Sequence, residues 1–322
     1  MEFRLIERLR ELTAQPRDDV RIGIGDDAAV LAPPPGKELA VAIDTLVEGV
    51  HFPPGTAAVD IGWKALAVNL SDLAAMGASP AWALLALTLP SADAAFVEGF
   101  AEGFAKLAQP HRLALVGGDT TRGPLTISVV VHGFVPPGQA LTRAGARVGD
   151  AVLVTGTLGD AAAGLHVVQH LPRDDDGRAG LRAFLIERFN RPTPRLAVGA
   201  ALRGQATACV DVSDGLLADL GHICAASGVA AEIEASLLPR SSALLELYDD
   251  TTALHFALSG GDDYELCFTV PANRVAELQA GLARLGCGAT KIGRIVEGEG
   301  VRVRAADGSW LATDRPGWEH FA

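Results

Sequence analysis

The stretch Val116-Gly-Gly-Asp-Thr-Thr-Arg-Gly123 shows the device on which this chain is built, an apolar run that stops in glycine and aspartate. Arg112 to Val116 reads as a short buried strand, Gly117 and Gly118 open backbone angles that other residues avoid, and Asp119 is expected at the strand's end. The pattern recurs in Ile22-Gly-Ile-Gly-Asp-Asp27, Leu39-Ala-Val-Ala-Ile-Asp44, Cys209-Val-Asp-Val-Ser-Asp-Gly215 and Leu258-Ser-Gly-Gly-Asp-Asp-Tyr264. Asp72 adds a carboxylate at a helical position. One such turn says little, because Asp and Gly are ordinary turn residues. Their number is what points to chemistry.

At 322 residues the chain exceeds the size at which one core stops growing, so two domains are expected. With 49% apolar and 20% charged residues it can bury a sizeable core. The net charge of -12 argues against nucleic acid or an anionic membrane as partner. Cys209, Cys224, Cys267 and Cys287 are scattered, which suits buried thiols in a reducing cytoplasm better than disulfides or zinc. Leu73 to Ala92 carries no charge, which raises the question of a membrane span. Gly77-Ala-Ser-Pro80 interrupts it, and the segment reads as a helix end, a turn and a buried strand of a soluble protein.

The chain opens on a charged amphipathic helix, Glu2 to Ala14. Glu38 to Ile43 reads as a strand delivering Asp44, and Asp60 as the N-cap of a helix from Ile61 to Met76. A strand at Ala83 to Leu89, a helix at Ala92 to Ala108 and a strand at Leu125 to Val135 follow. Pro136-Pro-Gly138 has the composition of a linker, dividing the chain into residues 1–137 and 138–322. In the second part, Gly149 to Asp160 reads as a strand, a glycine-rich turn and a helix start. That turn is either a plain connection or a phosphate cradle on helix N-terminal amides. Alternating strands and helices through Arg304 complete an α+β half.

Asp26, Asp27, Asp44, Asp72 and Asp119 all follow or interrupt apolar segments, so their heads are expected to meet at one side of a sheet. Two bare carboxylates about 4 Å apart repel by roughly 4 kcal/mol at an effective dielectric near 20. Divalent cations relieve that, and oxygen ligands without His or Cys suit Mg2+ or Mn2+. Magnesium binds jointly with phosphate oxygens, which points to a nucleotide substrate. The sequence has no P-loop, no kinase-type His-Arg-Asp loop and no dinucleotide glycine fingerprint opening a helix. Lysines stand only at 37, 64, 106 and 291, so metal ions, arginines such as Arg122 and Arg143, and loop amides must meet the phosphate charge. For each arginine a surface role stays open beside a phosphate contact, and for His51 loop packing stays open beside a substrate contact. Phosphoryl transfer fits such an inventory, since it needs positioning and charge neutralisation more than a covalent nucleophile.

Ile24-Gly-Asp-Asp-Ala-Ala29, Asp44-Thr-Leu-Val-Glu-Gly-Val-His-Phe52, Asn69-Leu-Ser-Asp-Leu-Ala-Ala-Met-Gly-Ala78, Gly117 to Gly123, Asp211-Val-Ser-Asp-Gly215 and Ser259-Gly-Gly-Asp-Asp-Tyr-Glu-Leu266 together resemble the motif set of the thiamine-monophosphate kinases. That family belongs to a superfamily with aminoimidazole ribonucleotide synthetase. The resemblance implies a two-domain α+β architecture, an α/β sandwich whose amino-terminal mixed sheet carries helices on one face and pairs in a homodimer. It implies ATP-dependent phosphorylation of thiamine monophosphate, assisted by several Mg2+ ions. By resemblance, Asp27, Asp44, Asp72, Asp119, Asp211 and Asp214 are metal ligands, with Asp44, Asp72 and Asp119 closest to the chemistry. Gly118, Asp119, Arg143 and Ser213 correspond to nucleotide contacts, and His51, Asp262 and Trp318 to substrate contacts. Two departures stand out: Ala42 and Ile43 replace residues that often bear hydroxyls in the family, and Asp262 stands where many relatives have Glu.

Overall fold

Strict alternation in Thr126–Val135 places this strand inside the first sheet: Ile127, Val129, Val131, Gly133 and Val135 are buried while the residues between them are half-exposed. The protein is represented by a computed structural model that describes residues 2–171, 177–312 and 317. Asp174 to Asp176 and Trp318 lie outside the described residues. Two units emerge, Met1–Leu73 with Ala78–Gly138, and Ala74–Gly77 with Gln139–Ala322.

The first unit runs α1 (Glu2–Leu12), β1 (Val20–Ile22), β2 (Val30–Leu31), β3 (Glu38–Val47), α2 (Ala58–Ala75), β4 (Ser79–Leu89), α3 (Ala94–Ala108), β5 (Ala114–Arg122) and β6 (Thr126–Val135). Its four-stranded sheet has the order β3-β6-β4-β5. β6 pairs antiparallel with β3 and β4, whereas β4 and β5, joined through α3, are parallel. Asp93 starts α3 by accepting the Ala95 and Phe96 N–H groups. One sheet face is covered by helix, with Leu73 of α2 against Gly133 of β6. On the other face Leu39, Val41 and Ile43 of β3 are 47%, 57% and 61% exposed. Toward β4 and β5 the β1–β2 hairpin covers that face, packing Val20, Ala29 and Leu31 on Trp82, Ala114 and Val116.

β3 runs on to Val47, so Asp44 lies within the strand and not at its end, and two further sequence expectations change here. Val116 to Arg122 is strand rather than strand followed by loop, so Asp119 sits within edge strand β5 and not at its end. The register between β4 and β5 slips by one residue at Val116, which has no partner on β4, and pairing resumes at Gly117 opposite Leu84 and continues to Arg122. Secondly, α2 begins at Ala58, which places Asp60 in its first turn, where a carboxylate complements the helix dipole, instead of at the cap.

The second unit contains β7 (Asp150–Thr155), α4 (Asp160–His170), α5 (Ala179–Asn190), α6 (Leu196–Leu202), β8 (Ala208–Asp211), α7 (Leu216–Ser227), β9 (Ala230–Glu234), α8 (Ser242–Leu247), α9 (Asp250–Ser259), β10 (Leu266–Pro271), α10 (Val275–Ala283), β11 (Ala289–Val296) and β12 (Gly300–Arg304). Its sheet order is β12-β9-β11-β7-β10-β8, antiparallel except for β12 with β9. Val152, Val154, Val210, Leu220, Ile233 and Ile292 form its core. The four cysteines are buried free thiols, and burial pushes each of them up, Cys224 to about 11. No helix among the described residues is long and apolar enough to cross a membrane.

Candidate active site

In the first unit the sheet decides where the carboxylates stand. Asp44 shares a row across the sheet with Val129, Leu85 and Gly118, and the next row contains Thr45, Ser128, Ala86 and Asp119. Successive rows point to opposite faces, so Asp44 faces the helices and Asp119 the other side. β3 and β5 are the two edges of the sheet, three strand spacings or roughly 14 Å apart. Asp72 joins Asp44: the Asp44 N–H donates to Asn69 Oδ1 (3.0 Å), and Asp72 lies one turn further along the same face of α2. Asn69 is held in turn by its side-chain amide, which donates to the Ala65 carbonyl (2.9 Å). Asp27 is exposed in the connection between β1 and β2, its N–H donating to Asp26 Oδ1 (3.0 Å), on the hairpin that covers the β4–β5 side of the face Asp119 occupies.

The expectation that these heads meet at one side of the sheet is therefore corrected to two separated groups, Asp44 with Asp72 and Asp119 on the side of Asp27. Among the described residues no three His, Cys, Asp or Glu side chains converge as a metal cage. The donors are hard oxygens without sulfur or imidazole among them, which fits Mg2+. The two groups stand on opposite edges of the sheet, too far apart for one ion to be held by all four carboxylates. Gly118 is required where it stands, because a Cβ there would collide with the Leu85 carbonyl oxygen. His51 folds back on its own loop, its Nδ1 accepting the Val47 N–H (3.0 Å) while buried Lys64 donates to the His51 carbonyl (3.4 Å).

In the second unit two loops interlock. Asp211 ends β8 opposite Leu266, and Ser213 and Asp214 follow, half-buried. The Asp262 N–H donates to the Ser213 carbonyl (2.8 Å) and the Tyr264 N–H to that of Val212 (2.8 Å). A side chain at Gly261 would strike the Ser213 carbonyl, so glycine permits this approach. Asp262 and Tyr264 both hold positive φ, 67° and 49°, and the Tyr264 hydroxyl donates to Asp262 Oδ1 (3.1 Å). Non-glycine residues in this region cost about 1–3 kcal/mol each and are kept by surrounding contacts. Those contacts come from the next residues in the motif. Asp263, buried and raised well above the usual carboxylate range by that burial, accepts the Gly159 and Ala161 N–H groups at the start of α4. Glu265 accepts from Arg195, from Arg188 (2.9 Å) and from Thr155 (2.6 Å). Burial lowers Arg195, and its hydrogen bond and charge interaction with Glu265 outweigh that, leaving it raised.

The glycine-rich turn before Asp160 is thus a connection and not a phosphate cradle, since the Asp263 carboxylate occupies the α4 amides. Arg143 is exposed, and its neighbour Thr142 accepts the Cys209 N–H (2.9 Å) beside β8. Gly317 packs against the Asp214 carbonyl, while Trp318 itself lies outside the described residues. Asp219 was not anticipated. It is buried in the first turn of α7 and accepts the N–H groups of Ser213, Asp214 and Gly215, and its carboxyl is pushed up to about 8 by burial first, then by the charges of Asp211 and Asp214. Its sequence signal was Asp at the fourth position of a helix that follows a Ser-Asp-Gly turn.

Residues 25–135 match the AIR synthase related protein N-terminal domain family, and residues 147–306 the corresponding C-terminal domain family. The chain is 48% identical over 321 residues to thiamine-monophosphate kinase of Escherichia coli K12, covering 100% of this chain and 98% of that protein. The Salmonella typhimurium LT2 enzyme is 47% identical at the same coverage. The crystal structure of thiamine-monophosphate kinase from Stenotrophomonas maltophilia K279a superposes with a TM-score of 0.87 at 52% identity, covering 96% of this chain and 98% of that one. A structure described as AaThiL complexed with AMPPCP and TMP follows at 0.79 and 36%, covering 99% and 97%. Fold, motifs and whole-chain identity agree, and the chain belongs to the thiamine-monophosphate kinase family of AIR synthase related proteins.

Proposed function

We propose that this chain transfers the γ-phosphoryl group of ATP to thiamine monophosphate, giving thiamine diphosphate and ADP. The observation that carries the reading is 48% identity to a thiamine-monophosphate kinase along the whole chain. An acceptor phosphate oxygen bonds to the γ-phosphorus as the bond from that phosphorus to the bridging oxygen breaks, and ADP leaves with that oxygen. Asp27, Asp44, Asp72, Asp119, Asp211 and Asp214 would hold Mg2+, and Mg2+ there would neutralise phosphate charge and hold oxygens in line.

The chain's own residues supply position. Asn69 fixes the backbone at Asp44, so the carboxylate is aimed without a change of strand register. Gly118 lets the strand come close to its neighbour, Ser213 and Arg143 offer donors to the nucleotide, and Asp262, steadied by Tyr264, presents an acceptor to the thiamine moiety. His51 and Trp318 complete the substrate contacts in this reading. Leu39, Val41 and Ile43, exposed in a row on one sheet face, support a homodimer formed by that face. Four buried free thiols support a reducing, cytoplasmic setting.

The test is ADP release coupled to a colour reaction, with Mg2+ and ATP, with and without thiamine monophosphate, and with a purine-pathway ribonucleotide as a rival acceptor. Release that depends on thiamine monophosphate is expected. Release driven by the ribonucleotide instead would reassign the acceptor, and none with either would leave a binding protein.

A further inference from the structure

Asp219 is 2% exposed, yet it lies beside a loop that carries two residues of the proposed nucleotide and metal site. Its Oδ2 accepts three consecutive backbone N–H groups, from Ser213 (3.0 Å), Asp214 (3.1 Å) and Gly215 (3.1 Å). Gly215 is the N-cap of α7, and a bond from an early helical side chain back to the N-cap amide is ordinary helix capping. The other two bonds are not. Ser213 and Asp214 precede the helix, so capping needs neither of them. Three amides around one oxygen form the kind of nest that elsewhere holds a bound anion, and here the protein's own side chain fills it. From the opposite side the Ser213 carbonyl accepts the Asp262 N–H, so the loop is gripped on both its donor and its acceptor edges.

We propose that Asp219 is a positioning residue that fixes the backbone aiming Ser213 and Asp214, and so sets the affinity for Mg2+–ATP without touching thiamine monophosphate. The proposal rests on the kinase reading. Without an oxygen at this place the three N–H groups lose their partner and must turn toward water, which scatters the directions of the two side chains.

Asp219→Leu removes the acceptor while filling its space, and Asp219→Asn keeps an oxygen that can face the amides. For Asp219→Leu the KM for Mg2+–ATP is expected to rise at least about ten-fold and by more than the KM for thiamine monophosphate, which is reached only through the Asp262 N–H on the Ser213 carbonyl, and Asp219→Asn is expected to restore most of the loss. Hydrogen exchange adds a readout on the unmodified protein: the amides of 213–215 should stay protected until α7 itself opens. A folded Asp219→Leu with wild-type KM for Mg2+–ATP overturns the proposal, as does exchange of 213–215 at the rate of an exposed loop. Should Asp219→Leu fail to fold, the exchange measurement on the wild-type chain decides by itself. If the wild-type chain shows no ADP release dependent on thiamine monophosphate, the kinase reading fails, while exchange and calorimetric binding of Mg2+–ATP still judge Asp219.

Discussion

Replacing Glu265 by glutamine keeps the volume of a fully buried side chain and removes the charge that two arginines share. The carboxylate takes Arg195 through Nε (2.7 Å) and Nη2, Arg188 through Nη2 (2.9 Å) and the Thr155 hydroxyl (2.6 Å). The arginine side chains are only 19% and 14% exposed, so little water reaches them; Arg188 keeps Asp160 Oδ2 at 3.8 Å, and the charge left without its carboxylate is that of Arg195. Removing one member of a buried pair costs about 3–5 kcal/mol, because the surviving charge stays buried without compensation. For a unit of this size each kcal/mol moves the melting temperature by roughly 2–4 °C, so Glu265→Gln should melt about 6–20 °C lower in calorimetry. Adding Arg195→Gln should recover part of the loss, with a coupling of about 0.5–3 kcal/mol. A fall under about 3 °C, or strict additivity of the two changes, refutes the idea that this network braces the loop presenting Asp262.

Asp44→Asn should lower kcat by on the order of 100-fold or more while the melting temperature holds, because the backbone bond from Asp44 to Asn69 survives; steady-state kinetics beside calorimetry would expose either error. Ile43→Lys places a charge on the apolar row of β3, where the side chain is 61% exposed, and should convert a dimer to monomer in light scattering without loss of fold. Stability should fall with rising pH in metal-free buffer. Between the ordinary carboxylate value near 4 and about 8, folded Asp219 retains a proton that the unfolded chain has released, so each pH unit removes on the order of 1 kcal/mol. Melting curves from pH 5 to 8 in EDTA should show this slope, and Asp219→Asn should flatten it; equal slopes in the two proteins count against the assignment.

Much of the architecture was legible because it rests on local patterns. The strand at Leu125 to Val135 and the helix read at Ala92 to Ala108 are decided by neighbours in sequence, the helix start moving only to the Asp93 cap. The motif at 259–266 was visible as a unit, though the separate tasks of Asp262, Asp263 and Glu265 were not, since each is set by a partner far along the chain, Ser213, Gly159 and Arg195. Helices α8 and α9 went unread because they are short and weakly patterned, with starts fixed by the caps Ser241 and Asp249. The sequence also suggested that the carboxylates of Asp44 and Asp119 converge. Strand order is a tertiary property, and it sends β3 and β5 to opposite edges. The extension of β5 through Gly117 and Gly118 was hidden for a related reason: a glycine pair that reads as a stop becomes paired strand once β4 lies alongside, after a one-residue slip at Val116.

The most direct measurement follows ADP and thiamine diphosphate together in one reaction of purified protein, ATP, Mg2+ and thiamine monophosphate. Equal amounts of the two products, both vanishing when thiamine monophosphate is left out, are the expected result. ADP formed without thiamine diphosphate, or neither product at any Mg2+ concentration, contradicts the transfer.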